Sequence, residues 1–423
     1  MSKPSSRRQF LGAVTMVGAG VGINALAIRG FRMPFMAEPR HVKHSARHPD
    51  EHFTVSADGA FYTGMEGSLL SWRAFVPEPT LTMQGVFRVT VDNIHPQAIL
   101  RREGGGQIRE ESIDGLQRTL LGDTEPGKEL RLHWQVPFAN SYRFAAIGDT
   151  GGGRELEWAL RQAHHLGAQF LLLLGDLYYQ PGDDLNVLQN LSRSPLPVYA
   201  AYGNHDIVRS FDQHLLHWFE HGVGPRNSTF RLGGVQFVNL DTAADTIPWS
   251  GGMRGALLRQ LSPLKDNSVV RDYVVFSHRP ITDLRPIEEQ PSDHSIENFG
   301  EGDWLRDQLL NIGARTILNG HIHNSLERDD RGLYTYIAGE GLAHLDIVKS
   351  QGSVDWFDDL THRAARMLIG DIEPQEPVRY HWEALNMPLD AHCSERLRID
   401  MAKEKGRFDV LLDYLENVCQ QTS

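Results

Sequence analysis

From about Phe53 to Pro137 the chain alternates short apolar and polar positions, as in GVFRVTVDN (85–93) and ELRLHWQV (129–136), with Gly-rich or polar breaks between. A period of two marks half-buried strands, and no strong helical period competes with it. This predicts a small β-rich domain over residues 53–138. At Tyr142 the rhythm changes. Apolar runs YRFAAI, FLLLL, VYAAY, VQFVNL, DYVVF and TILN now alternate with amphipathic stretches such as RELEWALRQAHHL. Strands alternating with helices indicate an α/β core, so residues 140–348 are expected to form an α/β sandwich with central sheets flanked by helices. The last stretch, 349–423, contains FDVLLDYLENV and is expected to be mainly helical packing material without a site.

The size, 423 residues, fits two or three such units. A formal charge of −12 argues against nucleic acid as a partner, since phosphate backbones are held by clustered Lys and Arg. The N-terminus carries an address. Ser5-Ser6-Arg7-Arg8-Gln9-Phe10-Leu11 has the form of a twin-arginine export signal, followed by a Gly-diluted apolar stretch and a small-residue cleavage site at Ala25-Leu26-Ala27. Cleavage there would define a signal peptide over residues 1–27, remove Lys3, Arg7 and Arg8 but no acid, and take the charge from −12 to −15. The mature chain would then have no stable membrane insertion, and its partners would include the twin-arginine machinery of a periplasmic protein. Residues 28–52, with His41, His44, His48 and His52 interrupted by Pro49 and by Arg and Lys, read as a solvated linker rather than a metal site. Two cysteines, Cys393 and Cys419, imply no disulfide framework, and pairing between them is left open.

The chemistry sits where the apolar runs of the second region stop. They end on GDTGGG, GDLYY, GNHD, DT, SHRP and GHIHN. In α/β sheets the ligand site lies outside the C-terminal ends of the strands, so these six tips should converge on one crevice. Asp149, Asp176, Asn204, His278, His321 and His323 supply carboxylate, amide and imidazole donors for divalent or trivalent ions, with one carboxylate bridging. Glycine precedes Asp149, Asp176, Asn204 and His321, as suits sharp turns out of strands. Arg279 would add positive charge or be a solvated neighbour. Gly151 to Gly153 at a helix start would lend N–H groups to a phosphate or simply meet the needs of a turn. His164, His165 and His294 read as surface residues.

The ordered set GDTG, GDLYY, GNHD, SHRP and GHIH resembles the calcineurin-like metallophosphoesterase superfamily over roughly residues 142–347. The superfamily has a metal-binding His two residues after its first Asp, where this chain has Gly151. Tyr179, three residues after Asp176, fits the compensating GDxxY form, which resembles purple acid phosphatases of the tartrate-resistant type. The resemblance implies a ferric ion on Asp149, Asp176, Tyr179 and His323. It implies a divalent partner (Fe, Zn or Mn) on Asp176, Asn204, His278 and His321. His205 would be the catalytic proton donor and Asp206 the catalytic residue orienting its imidazole. With the Tyr179 phenolate and a bridging hydroxide counted, such a centre keeps a formal charge of about +1, enough to accept an anion on an acidic protein. The expected activity is hydrolysis of small-molecule phosphomonoesters by attack of metal-activated hydroxide. The alternative is a phosphodiesterase acting on nucleotides or lipid headgroups. A binding protein on a retained metal scaffold is disfavoured because every expected donor is present.

Overall fold

The computed structural model describes residues 44–47, 53–207, 213–243, 252–286, 294–296, 298–342 and 365–385. The expected signal peptide, most of the histidine tract, Cys393, Cys419 and FDVLLDYLENV lie outside the described residues. Among those described, no helix is long and apolar enough to cross a membrane.

Period-two alternation becomes two five-stranded sheets before Tyr142. One runs β1 (His44–Arg47), β2 (Thr54–Asp58), β5 (Thr80–Gln84), β10 (Leu130–Gln135), β7 (Ile99–Gly104). The other runs β3 (Ala60–Glu66), β4 (Leu69–Ala74), β6 (Val86–Asp92), β9 (Gln117–Thr124), β8 (Gly106–Asp114). Each strand turns one face inward. Val55, Leu81, Leu132 and Trp134 from the first sheet meet Leu70, Trp72, Val89, Val91 and Leu120 from the second in one apolar core. His44–Arg47 corrects the linker reading, because it pairs antiparallel with β2, His44 opposite Ala57 and Arg47 opposite Thr54. Main-chain pairing onto a sheet edge needs no apolar side chains, so composition does not register it.

The second region places two sheets face to face. The first runs β13 (Val198–Ala200), β12 (Phe170–Leu173), β11 (Tyr142–Ile147), β20 (Arg366–Ile372), β21 (Arg379–Ala384). The second runs β14 (Ser228–Leu232), β15 (Val235–Leu240), β16 (Asp272–Ser277), β17 (Thr316–Asn319), β19 (Leu333–Ala338), β18 (Ser325–Asp330). Strands such as FLLL are buried at every position because both faces are covered. Between the sheets lie Phe144, Phe170, Phe230, Phe237 and Phe276, with Phe144 and Phe237 edge to face at 5.4 Å. The outer face of the first sheet carries helices α1 (Arg154–His165) and α2 (Asp183–Ser192). Beyond α2 comes a short helix, α3 (Gln213–Trp218). The second sheet carries α4 (Met253–Gln260) and α5 (Phe299–Ile312).

Two of these strands correct the C-terminal expectation. Arg366–Ile372 and Arg379–Ala384, in the stretch expected to be helical, form an antiparallel hairpin whose first strand pairs with β11. RMLIGDI is apolar enough for a buried strand, and a turn over residues 374–376, begun by Pro374 and followed by Pro377, separates it from its partner.

The two regions touch through Asn93, which adopts a left-handed backbone (φ 68°). Its amide donates to Ala74 O (2.8 Å) and Val198 O (2.9 Å) and accepts from Val198 N (2.9 Å). One side chain thus pairs both main-chain groups of Val198 on the outermost strand of the first sheet.

Candidate metal centre

Five of the six tips converge. At the first, Asp149 and Asp176 are buried, and the Tyr179 hydroxyl lies 3.5 Å from Asp149 Oδ1, 3.3 Å from Asp176 Oδ2 and 3.2 Å from His323 Nε2. His323 Nε2 is also 3.3 Å from Asp149 Oδ1. Beside this group is a second. His278 Nε2 lies 2.8 Å from Asn204 Oδ1, 3.2 Å from Asp176 Oδ1 and 3.2 Å from His321 Nδ1. Asp176 therefore presents one oxygen to each group. Asp176, His278 and His321 together have the spacing of a metal-binding cluster.

The donor chemistry fits a cation. His278 Nδ1 donates to Leu174 O at 2.7 Å, which turns the Nε2 lone pair toward two oxygens and another imidazole nitrogen. Lone pairs facing one point need a positive charge between them. Without a metal a proton takes that role: burial opposes it, but Asp176 and Asp149 push His278 up to about 8. Burial alone would raise Asp176, yet His278, His205 and His321 hold it well below the usual carboxylate range. Asp149 moves the other way, pushed up by burial despite His323 and His278.

The backbone is strained to bring these groups together. Asp149 (φ 62°), Asp176 (φ 58°) and His321 (φ 69°) are all left-handed, at a cost of about 1–3 kcal/mol each. The glycines before the donors serve mainly as clearance. A Cβ on Gly203 would collide with Asp176, and one on Gly320 would sit 2.6 Å from Asp149 Oδ2.

Several residues differ from their expected roles. Asp206 does not serve His205: its carboxylate accepts from the main-chain N–H groups of Asp176 (3.2 Å), Leu177 (2.8 Å), Tyr178 (3.0 Å) and Gly203 (2.8 Å). It shapes the GDLYY loop. Burial and Asp176 push its carboxyl up to about 7, against the pull of those amides. His205 is exposed, its ring 4.4 Å from that of Tyr179, and its main-chain N–H donates to Asp176 Oδ1 at 2.8 Å. The DT tip supplies no donor. Asp241 is held by Arg226 (3.4 Å), and Thr242 Oγ1 accepts from Arg279 N (2.8 Å). Arg279 is buried rather than solvated. His294 is not a remote surface residue, because its ring stands 5.3 Å from that of His321. His164 and His165 are exposed.

Two supports went unread in the sequence. Asp183, the first residue of α2, accepts from the N–H groups of Tyr179 (2.8 Å) and Gln180 (3.1 Å). The AGEG tip of β19 closes on the first Asp loop, with Gly148 N donating to Ala338 O (2.7 Å) and Gly341 N to Gly148 O (3.2 Å). A strand, LYTYIA, ending on two glycines was the available signal.

Residues 142–325 match the family model for calcineurin-like phosphoesterases. Serine/threonine-protein phosphatase CPPED1 of Bos taurus is 23% identical over 294 residues, covering 64% of this chain and 84% of that protein. Purple acid phosphatase PPD1 from yellow lupin (Lupinus luteus) seeds aligns at 12% identity and a TM-score of 0.44, over 73% of this chain and 70% of that one. A dimetal phosphatase from Danio rerio aligns at 13% identity and a TM-score of 0.37, over 58% of this chain and 96% of that one. The matched stretch, residues 142–325, carries the ordered tips and their converging donors, and that part of the chain is a calcineurin-like phosphoesterase domain.

Proposed function

We propose that the chain is an exported phosphatase of the purple acid type, acting on small phosphomonoesters with a ferric ion and a divalent partner. The observation that carries this reading is the placement of the Tyr179 hydroxyl within 3.2–3.5 Å of Asp149, Asp176 and His323, where Gly151 leaves no imidazole. Asp149, Asp176, Tyr179 and His323 would hold the ferric ion, and Asp176, Asn204, His278 and His321 the divalent ion. Three anionic side chains suit a trivalent cation better than a divalent one. When bound, such a pair supplies Lewis-acid polarisation of the phosphate and an activated water.

The chain's own residues account for the rest. His205 stands exposed beside Tyr179, anchored through its main chain to Asp176, and donates the proton that neutralises the leaving oxygen. Asp206 and Asp183 hold the GDLYY loop so that Asp176 and Tyr179 point together. Arg7 and Arg8 support export.

One preparation tests the reading. The untagged protein, recovered from the periplasmic fraction with its native metals, should contain iron and show a visible charge-transfer band that Tyr179→Phe abolishes. Colourless, iron-replete, oxidised protein would remove Tyr179 from the ligand set, and a protein confined to the cytoplasm would remove export.

A further inference from the structure

A separate cluster of donors lies on α3. That helix runs directly into a π-helical turn, Phe219–Val223, a form often found at functional positions. His217 and His221 are four residues apart, both exposed, with ring centroids 3.9 Å apart and planes inclined by 32°. Residues at this spacing share one helix face. The Nδ1–H of His221 donates to the His217 carbonyl at 3.0 Å, which fixes the tautomer and leaves the lone pair on Nε2. A carbonyl-anchored imidazole is the usual support of a metal-ligating histidine.

The run His217-Trp218-Phe219-Glu220-His221 has the H-x-x-E-H spacing of zinc-binding helices. Here the carboxylate is committed elsewhere, since Arg226 Nε holds Glu220 at 2.7 Å. The chain's donors are therefore two imidazoles and no base. We propose that His217 and His221 form a second transition-metal site, a two-imidazole chelate for a borderline divalent ion such as Cu²⁺, Ni²⁺ or Zn²⁺. Water completes the coordination. Imidazole selects these ions over Mg²⁺ and Ca²⁺, which require oxygen donors. His221 also lines a cleft of about 780 Å³ between the N-terminal sandwich and the catalytic region, so the ion sits at the rim of that cleft.

The test uses the full-length, untagged enzyme with its catalytic metals already loaded, titrated with Cu²⁺ by calorimetry and examined by electron paramagnetic resonance. The expected result is an additional equivalent per chain with nitrogen hyperfine structure. His217→Ala and His221→Ala should each weaken it by about 10-fold or more. Without added Cu²⁺, both variants should keep the phosphatase activity and melting temperature of the parent. An additional equivalent that survives both substitutions, or none in the parent, overturns the proposal.

Discussion

The N-terminal sandwich and the catalytic tips bury opposite kinds of group. In the sandwich, Trp72, Trp134, Leu70 and Val89 are fully enclosed among other apolar side chains. At the tips the enclosed groups are Asp149, Asp176, Asp206 and His278, three of them carboxylates, and two of those sit on left-handed backbone. One region is held by what it hides from water. The other carries charge repulsion and strain that its surroundings must bear, the usual conflict between stability and chemistry. Substitutions should therefore have opposite consequences in the two places.

The largest effect is expected from Asp149→Asn. Activity should fall on the order of 10³-fold, as a donor and its charge are lost. The metal-free protein should melt no lower than the parent, and we expect it to melt higher. The sign follows from Asp149 itself: burial raises its carboxyl, so the ionised form opposes folding at neutral pH. Asn also tolerates left-handed backbone and can accept from His321 N as Asp149 does at 2.8 Å. Thermal melts in chelator decide it, and a clear drop would erase the proposed contrast.

Trp134→Ala should do the reverse. It empties a fully buried site in the sandwich at a cost of about 3–5 kcal/mol, while turnover per folded molecule and metal content stay unchanged. Denaturant titration with active-site metal analysis separates the two quantities. Lost metal at full folding would show that the sandwich props up the centre.

His205→Ala sharpens the comparison, because this residue is exposed and stores no strain. Turnover should fall by roughly 10²-fold with both metals retained and stability nearly constant. Aryl phosphates, whose leaving groups scarcely need a proton, should lose less than alkyl phosphates. Equal losses would take the proton-donor role away from His205.

The smallest effect lies at the seam between the regions. His95 packs on Phe138 at 4.6 Å, and its Nδ1 accepts from Gln97 N at 3.1 Å, so the folded ring is neutral. Burial, with Arg118 and His164, pulls it down to about 4, whereas the unfolded ring titrates near ~6.5. Its contribution is thus complete above the unfolded value and lost as pH falls toward the folded one, by on the order of 1 kcal/mol. Denaturant midpoints of parent and His95→Gln should converge between neutral pH and the folded value. Parallel curves would show that the ring is not held neutral.

The catalytic region was more legible than its supports for a physical reason. Asp149, Asp176, Asn204, His278, His321 and His323 follow apolar runs at once, so strand ends announced them, whereas Tyr179 came only with the resemblance to the GDxxY form. Asp206 carried the same polar signature as its neighbours, but its partners are amides of a loop 30 residues upstream. Side-chain type alone does not distinguish a carboxylate that binds main chain from one that orients an imidazole. His294 had no strand before it, so nothing in the local pattern placed it against His321. The hairpin of β20 and β21 was hidden because its partner strand is distant in sequence.

That distance shapes how the protein is made. Arg143 on β11 meets Asp371 on β20, 228 positions downstream. On the ribosome, one edge of β11 stays bare while all the proposed donors to the metal centre are being synthesised. An exposed strand edge invites pairing with other chains. A transcript truncated before Arg366 would thus encode every proposed metal ligand and still yield an incomplete sheet. For this chain, premature termination should be read as a folding lesion even where the active-site residues are intact.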